Sequence, residues 1–132
     1  MKSDSGTTLH TTGWRSLYIV CGSSTIVNFN SPASMANTPQ LFEISSSAVP
    51  IFTFDQFTGT PDCTITHTIT SSNTAGFDTH PTNFEDPITW DGSVFTVTLI
   101  TSLRQTPGDY TFYERVTAGA SEYYSPLMTL RC

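Results

Sequence analysis

The stretch Cys63-Thr64-Ile65-Thr66-His67-Thr68-Ile69-Thr70 decides the fold. Cys63, Ile65, His67 and Ile69 occupy every second position, and four threonines fill the positions between them. Successive side chains of an extended chain point to opposite faces, so this period of two describes a half-buried strand with a hydroxylated outer face. The same texture recurs outward in both directions. WRSLYIV (14–20), TIVNF (25–29), QLFEI (40–44), IFTFDQF (51–57), SVFTVTLI (93–100), DYTFYERV (109–116) and EYYSPLMTL (122–130) are all rich in β-branched and aromatic residues. Clusters of Gly, Pro, Asn, Asp and Ser separate them, and helical periodicity is nearly absent. Short strands in this number make an antiparallel sandwich or barrel the expected architecture.

The 132 residues suit one domain with a single core. A core is expected from Ile26, Phe29, Leu41, Phe52, Phe54, Ile65, Ile69, Phe95, Val97, Leu99, Tyr110, Phe112 and Leu130. Residues 1–13 hold one large apolar residue, Leu9, and read as a flexible Ser/Thr-rich arm, so the domain is expected over 14–132. Loops are expected at Asn30–Pro39, Gly59–Asp62, Ser71–Pro87 and Thr106–Asp109. Ser71–Pro87 is long for a hairpin and reads as a crossover between sheets or as a functional loop. Asp91-Gly92, between two strand-like runs, signals a tight hairpin.

Charged residues are only 12% of the chain, and the net charge is −6 with Lys2 the only lysine. Phosphate neutralisation needs a basic stripe that this composition lacks, which argues against nucleic acid as a partner and against anionic membranes. No apolar run reaches the length of a spanning helix, so no membrane insertion is expected. Leu17–Cys21 is too short for the core of an export signal. Low lysine, abundant Ser and Thr and three cysteines nevertheless fit an extracellular or cell-surface β-protein. Three cysteines cannot all pair within one chain. The expected context is a segment of a longer secreted chain or a processed form.

No chemistry of catalysis stands out. G-x-S-x-G is absent, and His10, His67 and His80 are far apart in sequence. On its apolar face, His67 reads as a strand histidine hydrogen-bonded to a neighbour. Cys63 and His67 lie about 13 Å apart along an extended strand, too far for one zinc ion. Asp55, Asp62, Asp86, Asp91 and Asp109 are isolated and do not form a calcium loop. The expectation is therefore no enzyme, no metal and no cofactor. Tyr113, Tyr123, Tyr124 and Trp90 could present aromatic faces to glycans, or pack within the sandwich. There is no N-glycosylation sequon, whereas Thr7, Thr8, Thr11 and Thr12 are accessible acceptors for O-glycosylation.

Phe52-Thr-Phe-Asp-Gln-Phe-Thr-Gly-Thr-Pro-Asp-Cys63 leads into the Thr-rich strand. Pro87-Ile-Thr-Trp-Asp-Gly-Ser-Val-Phe-Thr-Val, Pro107-Gly-Asp-Tyr-Thr-Phe and a last strand closing on Cys132 follow. In that order, over Ser47–Cys132, the chain resembles the immunoglobulin/cadherin-like repeats found in tandem in large surface proteins of ciliates and other protists. It departs from them in lacking a Gly after Cys63 and in carrying an insertion over Asn73–Asn83. The resemblance implies an immunoglobulin-like Greek-key β-sandwich of seven to nine strands, used as a structural surface module. It also implies a bridge between Cys21 and Cys63, leaving Cys132 as the odd cysteine for an intermolecular bond. Gly108-Asp109-Tyr110 is similar to the tyrosine corner of such sandwiches, and equally to an ordinary turn before a core tyrosine.

Leu17, Ile19 and Cys21 repeat the spacing of Met128, Leu130 and Cys132, so 14–20 reads as the final strand of a preceding repeat or as the first strand of this one. In the first case Trp14, Leu17, Tyr18, Ile19 and Val20 form an assembly interface, donated to another copy or to an adjacent repeat. A heterologous contact of that kind does not close and gives a filament. The alternative function is a cell-adhesion or carbohydrate-binding surface domain, with glycans as partners.

Overall fold

The computed structural model describes residues 21–45 and 47–132, and among them the chain forms ten strands, the longer ones built from alternating inward and outward residues. They are β1 (Asn28–Asn30), β2 (Gln40–Leu41), β3 (Ile51–Asp55), β4 (Thr58–Thr60), β5 (Thr66–Thr70), β6 (Thr89–Trp90), β7 (Val94–Thr98), β8 (Asp109–Ala118), β9 (Ser121–Tyr124) and β10 (Met128–Arg131). All but β2 and β6 are three residues or longer. Among the described residues there is no α-helix, only one-turn 3-10 segments at Ala33–Ala36 and Thr101–Leu103. The chain is an all-β sandwich. One sheet has the order β2-β10-β8-β5, with β9 also on β8; the facing sheet has the order β3-β7-β6; β1 and β4 form a separate ribbon.

β8 is the spine. Tyr110, Phe112, Glu114, Val116 and Ala118 all point inward and are buried, while the residues between them face out. β5 pairs along one edge of it, and β9 and β10 share the other. Residues 125–127 oppose only residues 113–114, so one extra residue bulges between β9 and β10. Pro126 sits in this bulge, where it breaks no ladder bond. Ser125 closes the gap: its N–H donates to the Glu114 carbonyl and its hydroxyl accepts from the Glu114 N–H, each at 2.8 Å.

The two sheets meet through aromatics. Phe52 of β3 packs edge-on against Phe112 of β8, with centroids 5.2 Å apart, and Phe84 does the same from another side. Phe84 belongs to the 71–87 segment, which crosses from β5 in one sheet to β6 in the other. That crossover is anchored by Phe84 and by the bond from the Glu85 N–H to the Thr98 carbonyl. The Asp91-Gly92 hairpin joins β6 to β7, with Gly92 at φ +96°.

Two expected core residues lie outside. Ile26 is 67% exposed because its neighbour Val27 is the buried one; alternation places Val27 and Phe29 on one face, so Ile26 and Phe29 cannot both face in. Leu41 is 75% exposed because Gln40, not Leu41, is turned toward the facing sheet. Conversely, Phe57, Met35, Phe84, Val116 and Met128 complete the core.

Candidate functional site

The most unusual feature of the interior is charge. Alternation along β5 carries His67 inward, and alternation along β8 carries Glu114 inward, one step diagonally away across the ladder. Their side chains are 3% and 0% exposed, and His67 Nδ1 lies 2.5 Å from Glu114 Oε1. The imidazole ring tilts against Phe95 at 4.2 Å between centroids, with Phe57 beyond it at 6.3 Å. Glu114 Oε2 and His67 Nε2 are buried without a hydrogen-bond partner. Burial among aromatics disfavours the carboxylate and pushes the Glu114 carboxyl up to about 7, while the bond to His67 pulls the other way. The expectation of a strand histidine bonded to a neighbour describes His67. The sequence signal of its partner Glu114 is a place two residues from both Phe112 and Val116 on a strand of period two.

A groove of about 300 Å³ runs along the outer edge of β5, beneath the crossover. Thr68, Thr70, Asp78, His80, Asp86 and Arg115 line it with hydroxyl, carboxylate, imidazole and guanidinium groups. Most of these are already engaged. Asp78 accepts from the Tyr124 hydroxyl at 2.5 Å and lies 3.5 Å from Arg115, and His80 Nε2 is 2.9 Å from the Phe84 carbonyl. The bond to Asp78 pushes the Tyr124 phenol up to about 12. Among the described residues no group of three or more His, Cys, Asp or Glu could hold a metal ion.

The aromatics considered for glycans are dispersed. Trp90 lies over Phe95 on β6 and is 43% exposed. Tyr123 packs on Phe57, Tyr124 is tied to Asp78, and Tyr113 faces outward from β8.

Cys21 and Cys63 form a disulfide. This is the pairing that the repeat resemblance implies, and such bridges are typical of proteins made in oxidising compartments. Cys132 is a free thiol, half-buried, with its thiol pushed up by desolvation. The Tyr110 hydroxyl donates to the Thr106 carbonyl at 2.7 Å, a bond from the start of β8 back to the connection from β7, which is the geometry of a tyrosine corner. Trp14, Leu17, Tyr18, Ile19 and Val20 of the expected assembly interface, and Thr7, Thr8, Thr11 and Thr12 of the expected O-glycosylated arm, lie outside the described residues. No helix among the described residues is long and apolar enough to cross a membrane.

The two ends of the described chain sit at opposite ends of β8. At the Ala118 end, the Ala120 N–H donates to the Thr25 carbonyl, and Gly119 fits so closely that an added Cβ would lie 2.2 Å from Thr25 O and 3.1 Å from Gly22 O. Cys21, Gly22, Cys63 and Gly119 line one cleft there. At the Asp109 end, Gly108 and Cys132 exchange both backbone hydrogen bonds. Ten strand residues, roughly 33 Å, separate these poles. No protein family, curated protein or solved structure matches the chain.

Proposed function

We propose that this chain is a structural, non-enzymatic, immunoglobulin-like module of the extracellular space or cell surface that assembles head to tail into a filament. The observation that carries this reading is polarity: Cys21, the first described residue, lies at one pole of the sandwich and Cys132 at the other. Modules with this geometry stack end on end, as adjacent repeats or as separate copies, without turning the chain back. The strand-like 14–20 segment ahead of Cys21 then adds to a sheet edge of a neighbouring subunit. The Cys21–Cys63 bridge supports an oxidising setting. A covalent joint through Cys132 requires the thiol to leave its seat beside Gly108, because desolvation there depresses the reactive thiolate.

Size-exclusion chromatography and negative-stain imaging of the full chain test the proposal, with concentration-dependent linear oligomers as the expected result. Deleting residues 1–20 should leave a folded monomer that no longer assembles. A deletion variant that fails to fold identifies 14–20 as an internal first strand instead. The polar groove along β5 favours one further reading, a carbohydrate-binding or adhesion surface. Specific retention on a glycan array, lost on substituting Thr68 and Asp78 by Ala, would select that reading.

A further inference from the structure

Among the described residues, no strand lies beside the outer edge of β3. Instead, the Gln40 side chain lies across it: the Gln40 amide donates to the Thr53 carbonyl at 2.6 Å, and its oxygen accepts from the Thr53 N–H at 3.0 Å. Two residues further on, the Asp55 N–H donates to the Ser34 hydroxyl at 2.9 Å. A carboxamide offers one donor and one acceptor in the spacing of a peptide group, so Gln40 stands where a strand backbone would stand. The seam so formed between β2 and β3 is a groove of about 470 Å³, lined by Ser34, Gln40, Leu41, Thr53 and Asp55 among others.

Leu41 borders this groove at 75% exposure. Ile51 of β3 and Val49 just ahead of that strand, at 39% and 40%, follow toward the same pole. The direction follows from the ladders. β2 runs parallel to β10, toward Cys132, and β3 runs antiparallel to β7, whose end leads into the Thr101–Leu103 turn and the start of β8. The apolar end of the seam therefore lies at the Cys132 pole.

Resting on the head-to-tail reading above, we infer that this seam is the acceptor for residues 14–20 of a second copy, with Gln40 as the placeholder that the incoming strand displaces. Chain length selects the occupant. Leu41 is level with Arg131 and hence with Asp109, whereas Thr66, three residues from Cys63, is level with Thr117. Those levels are roughly 26 Å apart along β8. Leu17 stands four residues before Cys21 and reaches at most about 14 Å from it, so Leu17 and Ile19 cannot seat in the seam of their own chain. A neighbour stacked end on end brings its Cys21 pole to the Cys132 pole, where the seam opens. The exchange is close to neutral in hydrogen bonds, because backbone amides replace the Gln40 amide, and the gain is the covering of Leu41, Ile51 and Val49 by Leu17 and Ile19.

The experiment uses the full chain. Hydrogen exchange at assembling and at dilute concentrations should show added protection of the Ile51 and Thr53 amides on assembly, and little change along β5. Leu41→Lys with Ile51→Lys, both at exposed positions, should weaken assembly by about 100-fold or more, with the circular-dichroism spectrum and the Cys21–Cys63 bridge retained. Gln40→Ala should act in the opposite direction and tighten assembly, since it removes the competitor. Unchanged assembly of the lysine variant, or protection that appears along β5 or β6 instead, overturns the seam as acceptor while leaving head-to-tail assembly standing. A wild-type chain that stays monomeric at every accessible concentration overturns both.

Discussion

Glu114→Gln, measured against pH, tests the reading of the buried His67–Glu114 pair. The carboxyl titrates at about 7 in the sandwich against 4.5 as its ordinary value, because burial disfavours its charged form. The folded protein thus retains a proton that the unfolded chain releases. The stability contributed by this group is fully present below about pH 4.5 and is lost as pH rises through about 7. A gap of about 2.5 pH units, at about 1.36 kcal/mol each, amounts to up to about 3 kcal/mol. That is a large share of the roughly 5–15 kcal/mol of a whole domain. Asp91 and Asp109 work in the other direction. Their carboxyls are held below the ordinary value, by the Val94 N–H and the Arg131 guanidinium respectively, so the stability they contribute is lost only on acidification below about pH 4. Urea unfolding of the full chain at about pH 5 and about pH 8 brackets the Glu114 window. Wild type should unfold at distinctly lower urea at the higher pH. The Gln variant keeps the shape and lacks this carboxyl, so it should lose the part of this fall that wild type owes to Glu114. A wild type that is more stable at pH 8, or a Gln variant with the wild-type slope, refutes the assignment.

Replacing both Cys21 and Cys63 by Ser should cost about 4 kcal/mol on the loop-entropy estimate for a separation of 42 residues, read as a drop in urea midpoint with no change in the folded spectrum. Tyr110→Phe removes the hydroxyl bond to Thr106 and should cost about 1 kcal/mol by the same assay; no change would mean that the hydroxyl finds water equally well. Gly119→Ala places a Cβ against Thr25 O at a φ of +57° and should cost at least about 2 kcal/mol. Gly76→Ala, at φ +88° with open space around it, carries backbone strain alone and should cost less. Equal losses at the two glycines would contradict the close packing at the Cys21 pole.

Alternation along the strands made the fold legible, because a period of two is a local property that tertiary structure only has to accept. The inward set of β5 followed from Cys63, Ile65, His67 and Ile69 alone, and the hairpin at Gly92 from a dipeptide. Failures came where the alternation had no fixed phase. TIVNF holds apolar residues of both parities, and only the meeting of the Val27 N–H with the Ser121 hydroxyl, 94 residues away, fixes which of them face in. Gln40-Leu41 is a second case. A leucine beside a glutamine reads as the core residue of the two, yet the free edge of β3 needs a donor and an acceptor together, and the amide meets that need while the leucine cannot. Glu114 shows the same asymmetry inside the core. Its position in the inward row of β8 could be read from Phe112 and Val116, but a carboxylate there is tolerable only with a partner. That partner is His67 on a strand 47 residues earlier, set by a ladder register that neither strand specifies by itself. Local pattern therefore specifies strands and faces, while the polar groups that join one element to another become visible only once the register brings them within hydrogen-bond reach. The Gln40 and Ser34 contacts on β3 and the His67–Glu114 pair are all of this second kind.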